Sequence, residues 1–201
     1  MASESYLVAG LGNIGPEYAL TRHNMGFITL DAWAQASGVV FETKRYGDVA
    51  QVHVKGRTFH LLKPSTYMNL SGNAVRYYLQ ALSIPLERCI VICDDINLPF
   101  GTTRMRKSGS DGGHNGLRNI AETVGSQDYA RIRLGVGHNF AQGAQVDFVL
   151  GRLSEDELSQ MPAIAERVIR GIKDWAFIGP DRAMNSVNAK QAPLSQPQKD
   201  I

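Results

Sequence analysis

The sequence predicts a single α/β domain with a mixed sheet surrounded by helices. Short apolar runs alternate with longer segments of helical periodicity, the pattern of parallel strands joined by helices. Two of these runs are separated by only two residues, so an antiparallel pair is expected within the same sheet. A chain of 201 residues, of which 43% are hydrophobic, can bury one sizeable core.

The first predicted elements are a buried strand and a helix. The run "YLVA" at residues 6–9 predicts a strand that leads into a glycine-rich loop. In "MGFITLDAWAQASG", Phe27, Leu30 and Ala34 recur at helical spacing. Gly38 then provides a stop for this helix.

A strand pair and a second helix follow. "VAQVHV" and "RTFHLLK" predict two strands joined by a tight turn at Lys55 and Gly56. Between residues 71 and 82 apolar side chains again recur at helical spacing, and Ser71 is the expected N-cap.

The second half of the chain adds three strands and two helices. "CIVICDD", "TTRMRK" and "RIRLGVG" predict strands, and "SGSDGGHNG" predicts a turn before a helix over residues 117–124. "SEDE" at residues 154–157 is a capping-box signature that opens a long helix. From Gly179 the chain turns polar, which predicts a frayed end. We therefore expect one domain over residues 1–185 and a flexible tail over residues 186–201.

Charge, cysteine content and hydropathy indicate the compartment. A formal net charge of +2 and a pI near 8.6 permit an anionic partner without demanding one. Cys89 and Cys93 share one face of a predicted buried strand, too far apart to bridge easily, so we expect reduced core thiols. No apolar run approaches the ~18 residues of a membrane span, and "MASESYLVAG" lacks the pattern of a secretory signal. These features predict a soluble, cytoplasmic protein.

The stretch "GLGNIG", from Gly10 to Gly15, matches the G-x-G-x-x-G pattern of dinucleotide-binding enzymes. That fingerprint requires a helix starting at the third glycine and a second strand that ends in an acid about 20 residues on. Here Pro16 follows Gly15 directly, and Asp31 falls within a predicted helix. The context therefore argues against a nucleotide site.

Polar side chains cluster in the loops beside the predicted strands. His23 follows the first strand, and Asp94 ends a buried strand. Asn69 and Asn115 each precede a helix, where an amide can also serve as an ordinary cap. Each residue alone has such a structural explanation, but several loops that each supply an amide or a titratable group exceed what capping explains.

Five stretches together resemble bacterial peptidyl-tRNA hydrolases: "GLGNIGPEYALTRHNMGF", "KPSTYMNLSG", "DDINLPFG", "GGHNGLRNI" and "RIRLGVG". The resemblance implies a monomeric α/β protein with a mixed, twisted sheet and with neither a metal nor an organic cofactor. It also implies hydrolysis of the ester between a peptide and the terminal ribose of tRNA, which recycles tRNA from stalled translation. The chain departs from the family where Ile14 replaces a usual proline and Asn97 a usual aspartate.

Residue chemistry and the resemblance together predict how the ester is attacked. Histidine suits activation of water near neutral pH, so His23 is the expected general base. The resemblance pairs it with Asp94, which would orient the imidazole. Direct attack by water is simpler than a covalent intermediate, because no G-x-S-x-G motif and no cysteine in a polar setting occur. The five histidines form no H-x-x-x-H or H-x-H set, so no metal site is expected.

Further side chains are expected to hold the peptide. The amides of Asn69 and Asn115 can grip its backbone and orient the carbonyl. The resemblance adds Asn13 to the catalytic group, where it separates blocked from free aminoacyl ends. It also implies that Tyr18 and Tyr67 line the substrate site.

Arginines on two predicted strands are candidates for the tRNA contact. Arg104 and Arg106 share one strand face, and Arg131 and Arg133 form a second same-face pair, of which Arg133 is the stronger candidate. The alternative is a solvated basic face without a ligand. Binding to phosphates would weaken steeply with salt and depend little on base sequence.

Two other functions fit parts of the sequence. One is an RNA-binding or adaptor protein that keeps the fold without catalysis, and it would bind peptidyl-tRNA without turnover. The other is a nicotinamide oxidoreductase, which would show saturable NAD(P) binding.

Overall fold

Seven strands form one mixed sheet at the centre of the computed structural model, which describes residues 4–189. The strands are β1 (Glu4–Gly10), β2 (Glu42–Lys44), β3 (Gly47–Val54), β4 (Arg57–Pro64), β5 (Cys89–Asp95), β6 (Thr103–Arg106) and β7 (Ala130–Gly135). Their order in the sheet is β2-β3-β4-β1-β5-β7-β6. The predicted α/β fold with a mixed sheet is confirmed.

The parallel strands of this sheet point their carboxyl ends to one edge. β1 pairs in parallel with β4 and β5, and β5 pairs in parallel with β7. β2, β3 and β6 each run antiparallel to a neighbour. The loops that follow β4, β1 and β5 therefore open at one edge, where α/β sheets place their ligands.

Six α-helices accompany the sheet within residues 4–189. They are α1 (Met25–Ala36), α2 (Ser71–Ala81), α3 (Asn115–Val124), α4 (Gln145–Val149), α5 (Glu155–Ile178) and α6 (Pro180–Asn188). α2 and α3 share one core with Leu7 of β1, whereas α1 and α5 share the other core with Val8. Successive strand side chains thus enter opposite cores. None of the helices within residues 4–189 is long and apolar enough to cross a membrane.

Local turn chemistry follows the sequence at two predicted positions. Lys55 and Gly56 have φ values of 45° and 79°, as a two-residue turn between β3 and β4 requires. Ser154 Oγ accepts a hydrogen bond from Glu157 N at 3.2 Å, and Glu157 Oε2 accepts one from Ser154 N at 2.7 Å. The predicted hairpin and capping box are both confirmed.

Two helix starts differ from the prediction. Ser71 is the first residue of α2 rather than its N-cap, and its Oγ donates a hydrogen bond to the carbonyl of Met68 at 2.7 Å. A 3-10 turn over Met68–Leu70 brings that carbonyl within reach of the hydroxyl. α3 begins at Asn115 rather than at Leu117, because the preceding side chain caps it.

The predicted frayed end from Gly179 is wrong for residues 180–188, which form α6. Ala183 and Val187 are buried, one helical turn apart. The Asn188 side chain accepts a hydrogen bond from Met105 N at 2.7 Å and donates one to Met105 O at 3.0 Å. These two hydrogen bonds satisfy the main-chain N–H and C=O groups of Met105 on the edge strand β6. The predicted domain boundary at residue 185 falls within α6, and residues 190–201 of the predicted tail lie outside the described residues.

Candidate active site

His23 and Asp94, 71 positions apart in sequence, meet at the carboxyl edge of the sheet. His23 lies in the 3-10 turn Arg22–Asn24 between β1 and α1, and Asp94 is the penultimate residue of β5. His23 Nδ1 is 2.8 Å from Asp94 Oδ1. An ionised carboxylate only accepts hydrogen bonds, so Nδ1 carries the ring proton and Nε2 keeps its lone pair.

A second imidazole shares the same carboxylate oxygen. His114 Nε2 lies 3.0 Å from Asp94 Oδ1, while His114 Nδ1 accepts hydrogen bonds from Gly116 N and Leu117 N as the N-cap of α3. Because Nδ1 accepts, the proton of His114 is on Nε2 and is donated to Asp94. The sequence indicated His114 only as part of a loop. Its contact with Asp94 was missed because nothing in the spacing shows it.

The two imidazoles determine the ionisation of Asp94. Burial alone would raise the pKa of this 5%-exposed carboxyl, but the charge of His23 and hydrogen bonds from His114 and His23 outweigh it and hold the pKa well below its usual range. Asp94 is therefore an anion at neutral pH. A buried anion with two N–H donors is suited to orient an imidazole and to stabilise its cation.

The neighbouring Asp95 has a different role. Its Oδ1 accepts a hydrogen bond from Asn97 N at 2.8 Å, and its Oδ2 lies 3.4 Å from Arg133 Nη1. Asp95 thus shapes the turn after β5. Asn97 is exposed and takes part in this turn through its main-chain N–H.

Asn13 is held by its main chain in the loop after β1. Asn24 Oδ1 accepts a hydrogen bond from Asn13 N, and Asn24 Nδ2 donates one to Asn13 O, both at 2.8 Å. Asn24 is 1% exposed. Sequence reasoning missed it, because an asparagine directly before a helix normally indicates a cap. This clamp fixes the loop while the Asn13 side chain lines the cavity.

The glycine motif packs main chain against main chain. A Cβ on Gly26 would lie 2.5 Å from Leu11 N, and one on Gly10 would lie 2.5 Å from Gly26 O. The first turn of α1 therefore rests directly on the end of β1. This close contact explains Gly10, the first glycine of the motif, without a nucleotide.

A cavity of about 220 Å³ contains the His23–Asp94 pair. Its polar lining includes Asn13, His23, Asp94, His114, Asn115 and Arg133. A further wall is α4 and the residue after it, through Gln145, Val146, Val149 and Leu150. The cavity thus brings two amides, an imidazole–carboxylate pair and apolar side chains of α4 into one lining.

The cavity also contains three potential metal ligands, but they do not fit a metal ion. Ligand atoms of His23, Asp94 and His114 lie within 4.8 Å of one another. The Nε2 atom of His114 carries the ring proton as long as Nδ1 caps α3, so it has no lone pair for a metal. A metal would have to break that cap.

Comparison with known proteins identifies the family. The family model described as peptidyl-tRNA hydrolase matches residues 7–195, which is most of the chain. This chain belongs to the peptidyl-tRNA hydrolase family.

Individual members of the family cover nearly the whole chain. A peptidyl-tRNA hydrolase of Cytophaga hutchinsonii is 54% identical over 186 residues, or 92% of this chain and 99% of the relative. One from Phocaeicola vulgatus is 53% identical over 185 residues, again 92% of this chain and 99% of the relative. A crystal structure of peptidyl-tRNA hydrolase from Acinetobacter baumannii has a TM-score of 0.86 at 32% identity and covers 95% of this chain and 98% of that chain.

Three predicted substrate residues of this family member lie outside the cavity lining. Tyr67 is 78% exposed, Asn69 is exposed, and Tyr18 is half-buried in the 3-10 turn Pro16–Tyr18. The turn after β4 buries Met68 and points its two neighbours outward. The structure therefore brings His23, Asp94, Asn13 and Asn115 together and leaves the other three on the surrounding loops.

The predicted pairing of Arg131 with Arg133 as phosphate ligands is wrong for Arg131. Arg131 is 1% exposed, and its guanidinium donates to main-chain carbonyls, among them Gly109 O at 2.7 Å and Gln127 O at 2.9 Å. Strand alternation places it on the correct face, but the loop before α3 folds over it. Arg133 lines the cavity and donates to Ser110 O at 2.7 Å.

The remaining predicted arginines lie one strand further out. Arg104 pairs with Arg133 and Arg106 with Arg131 across β6 and β7, so all four share one sheet face. Arg104 is half-buried and Arg106 is exposed. The face is therefore basic at its outer end.

The two cysteines are core thiols, as predicted. Cys89 and Cys93 are buried and unpaired with each other. Burial raises the pKa of Cys89 to about 12 and raises that of Cys93 as well. Neither is a thiolate near neutral pH, which agrees with the absence of a cysteine nucleophile from the predicted mechanism.

Proposed function

We propose that this protein hydrolyses the ester bond of peptidyl-tRNA by direct attack of a water molecule that His23 activates. Family membership supports the substrate class. The observation that carries the mechanism is the 2.8 Å contact of His23 Nδ1 with Asp94 Oδ1, because it leaves Nε2 of His23 as a base.

In this mechanism His23 Nε2 takes a proton from water as the water oxygen attacks the ester carbonyl carbon. Asp94 stabilises the imidazolium that forms. The tetrahedral intermediate collapses with cleavage of the bond between the carbonyl carbon and the ribose oxygen. His23 returns its proton to that oxygen, which releases tRNA and a peptide carboxylic acid that then loses its proton to solvent.

Amide groups near the reacting carbonyl assist this step. Asn13 and Asn115 line the same cavity as His23. An amide donor directed at the developing oxyanion lowers the barrier by about 3 kcal/mol. Asn13 also separates N-blocked substrates from free aminoacyl ends, because a free amine presents a charge that the peptide amide lacks.

Outer residues hold the two halves of the substrate. Tyr18, Tyr67 and Asn69 contact the peptide as it leaves the cavity, and Arg104, Arg106 and Arg133 contact tRNA phosphates. The protein acts as a cytoplasmic monomer and returns tRNA from stalled or aborted translation to use.

Replacement of His23 tests this function. His23→Ala should lower kcat for an N-blocked aminoacyl-tRNA at least about 100-fold, because a general base contributes roughly 10²–10⁴ in rate. The Kd for deacylated tRNA should stay within a few-fold of wild type. The measurement is single-turnover hydrolysis beside a tRNA binding titration.

His53→Ala is the matched control, because His53 is exposed on β3, three strands away from Asp94. It should hydrolyse at the wild-type rate. Near-normal turnover by His23→Ala would show that His23 is not the general base. Wild-type protein that binds peptidyl-tRNA without turnover would favour the adaptor function instead.

A further inference from the structure

Arg22, the residue directly before His23, directs its whole side chain away from the cavity. Its Nη2 donates a hydrogen bond to Glu157 Oε2 at 2.8 Å, and its Nη1 donates one to Arg152 O at 3.2 Å. The guanidinium carbon lies 4.5 Å from the ring centroid of Phe148. The side chain is 15% exposed, so this cation is mostly withdrawn from water and from any phosphate.

Main-chain hydrogen bonds join the same two segments. Arg22 N donates to Gly151 O at 3.1 Å, and Leu153 N donates to Leu20 O at 2.9 Å. An antiparallel bridge pairs Thr21 with Arg152. The turn that carries His23 and the segment between α4 and α5 are therefore docked by both main chain and side chain.

Aromatic contacts extend this docking along the segment before α4. The Phe148 ring lies 4.9 Å from the ring of Phe140, which lies 4.3 Å from that of His138. One end of this row rests on the Arg22 guanidinium. These ring contacts thus connect residues 138–148 to the guanidinium of Arg22, which directly precedes His23.

Glu157, in the first turn of α5, is the ion-pair partner of Arg22. The oxygen that accepts from Arg22 also accepts from Ser154 N, which closes the capping box of α5. The carboxylate therefore links the start of a 24-residue helix to the His23 turn. A charge-assisted hydrogen bond in a mostly buried position is stronger than a neutral one.

We infer that Arg22 is a positioning residue, which holds the α4 wall of the cavity at a fixed distance from His23 through Glu157 and Phe148. α4 contributes Val146 and Val149 to the lining of the cavity that holds His23. A substrate pressed between this wall and His23 loses its orientation when the wall moves. Misplacement by about 1 Å can cost on the order of 100-fold in rate.

The expected loss of kcat rests on the proposed hydrolysis. The expected loosening of the α4 segment does not. The test therefore has two readouts. One is kcat and KM for an N-blocked aminoacyl-tRNA, and the other is amide hydrogen exchange of residues 138–150 in the free protein.

Arg57 offers a matched control at the opposite edge of the sheet. Its Nε donates to Glu4 Oε2 at 2.9 Å, and its guanidinium lies 4.3 Å from the ring centroid of Phe177. It thus has the same kind of ion pair and the same kind of ring contact as Arg22. Arg57→Ala removes comparable interactions without touching the cavity.

Arg22→Ala should lower kcat at least tenfold, leave the Kd for deacylated tRNA within twofold, and raise exchange in residues 138–150. Arg57→Ala should keep kcat within twofold and leave that exchange unchanged. The inference is overturned if Arg22→Ala keeps wild-type kcat, if both variants lose activity equally, or if exchange in residues 138–150 does not rise.

Phe148→Leu provides a second variant that keeps the ion pair with Glu157 and removes the ring under the guanidinium. It should raise exchange in residues 138–148 and lower kcat by a smaller factor than Arg22→Ala. Unchanged exchange in this variant also overturns the inference. Absence of hydrolysis by wild-type protein would contradict the proposed function alone, since the exchange readout still decides the role of Arg22.

Discussion

At the scale of single residues, one oxygen atom organises the candidate site. Asp94 Oδ1 is the acceptor for both His23 and His114, and the two rings differ in the use of their other nitrogen. That nitrogen caps α3 in His114, so this ring acts as a fixed donor. In His23 it is the atom that we assign to the attacking water. Two histidines in similar positions thus have different chemistry.

Replacement of His114 by asparagine separates its two contacts. Asparagine is a good N-cap, so α3 keeps its start, but its side chain is too short to donate to Asp94. The pKa of Asp94 should then rise toward its ordinary value of 3.8. A carboxyl with a lowered folded pKa contributes stability above its unfolded pKa and loses that contribution as pH falls through the folded pKa.

The free energy of unfolding should therefore rise less between about pH 2 and pH 6 in His114→Asn than in wild type, by about 1–2 kcal/mol. Urea unfolding at several pH values measures this difference. His114→Ala, which also loses the cap, should be less stable than His114→Asn at every pH. Identical pH profiles for wild type and His114→Asn would show that the ring contributes nothing to the ionisation of Asp94.

At the scale of elements, α6 is a helix that hydrophobic periodicity does not predict. Only Ala183 and Val187 of this helix are fully buried, so its apolar stripe is too short to stand out in a polar segment. Its attachment to the sheet is polar instead, through the two hydrogen bonds of Asn188 with Met105 on β6. A side chain that imitates a strand partner has no sequence signature.

Asn188→Ala should lower the free energy of unfolding by about 1–3 kcal/mol, because it leaves partly buried main-chain groups of β6 unpaired. Urea denaturation measures the loss. Asn185→Ala is the control, since Asn185 is exposed on the same helix. Equal stability of the two variants would show that water replaces the Asn188 contacts at no cost.

At the scale of the whole molecule, the strand order separates the cavity from the basic face. His23 and Asp94 lie beside the central strands β1 and β5, whereas the basic face lies at the β7 and β6 end. Met68, between Tyr67 and Asn69, lies against Gly116 of α3. If the basic face holds tRNA as we propose, the tRNA contact lies to one side of the cavity.

Removal of the outer arginines tests this division. Arg104→Ala with Arg106→Ala should raise KM, leave kcat nearly unchanged, and flatten the salt dependence of log KM by about two units of slope, because two phosphate contacts are lost. Kinetics at several salt concentrations measures it. Arg45→Ala with Arg76→Ala removes the same net charge from exposed positions elsewhere. Equal effects of the two pairs on KM would show that net charge, and not the position of the basic face, determines tRNA binding.

The parts that the sequence predicts well are those that depend on local periodicity and turn chemistry. The alternating runs indicate the mixed sheet, Lys55 and Gly56 indicate the hairpin, and Ser154 indicates the start of α5. The convergence of His23 and Asp94 follows from strand ends and from the family resemblance.

Contacts between distant segments could not be predicted in the same way. Strand alternation places Arg131 and Arg133 alike, and only the fold of the loop over β7 makes one structural and leaves the other in the cavity. The Asn24 clamp and the His114 contact likewise join residues whose spacing in sequence shows no pattern.

The bare contact of Gly26 with the end of β1 bears on how such a protein can diverge. The atoms nearest to Gly26 are main-chain atoms of Leu11 and Ile92, with no side chain between them. We therefore expect changes of core side chains that retain Gly26 to keep the imidazole beside the carboxylate. A side chain at position 26 would push the start of α1, and with it the His23 turn, away from the end of β1.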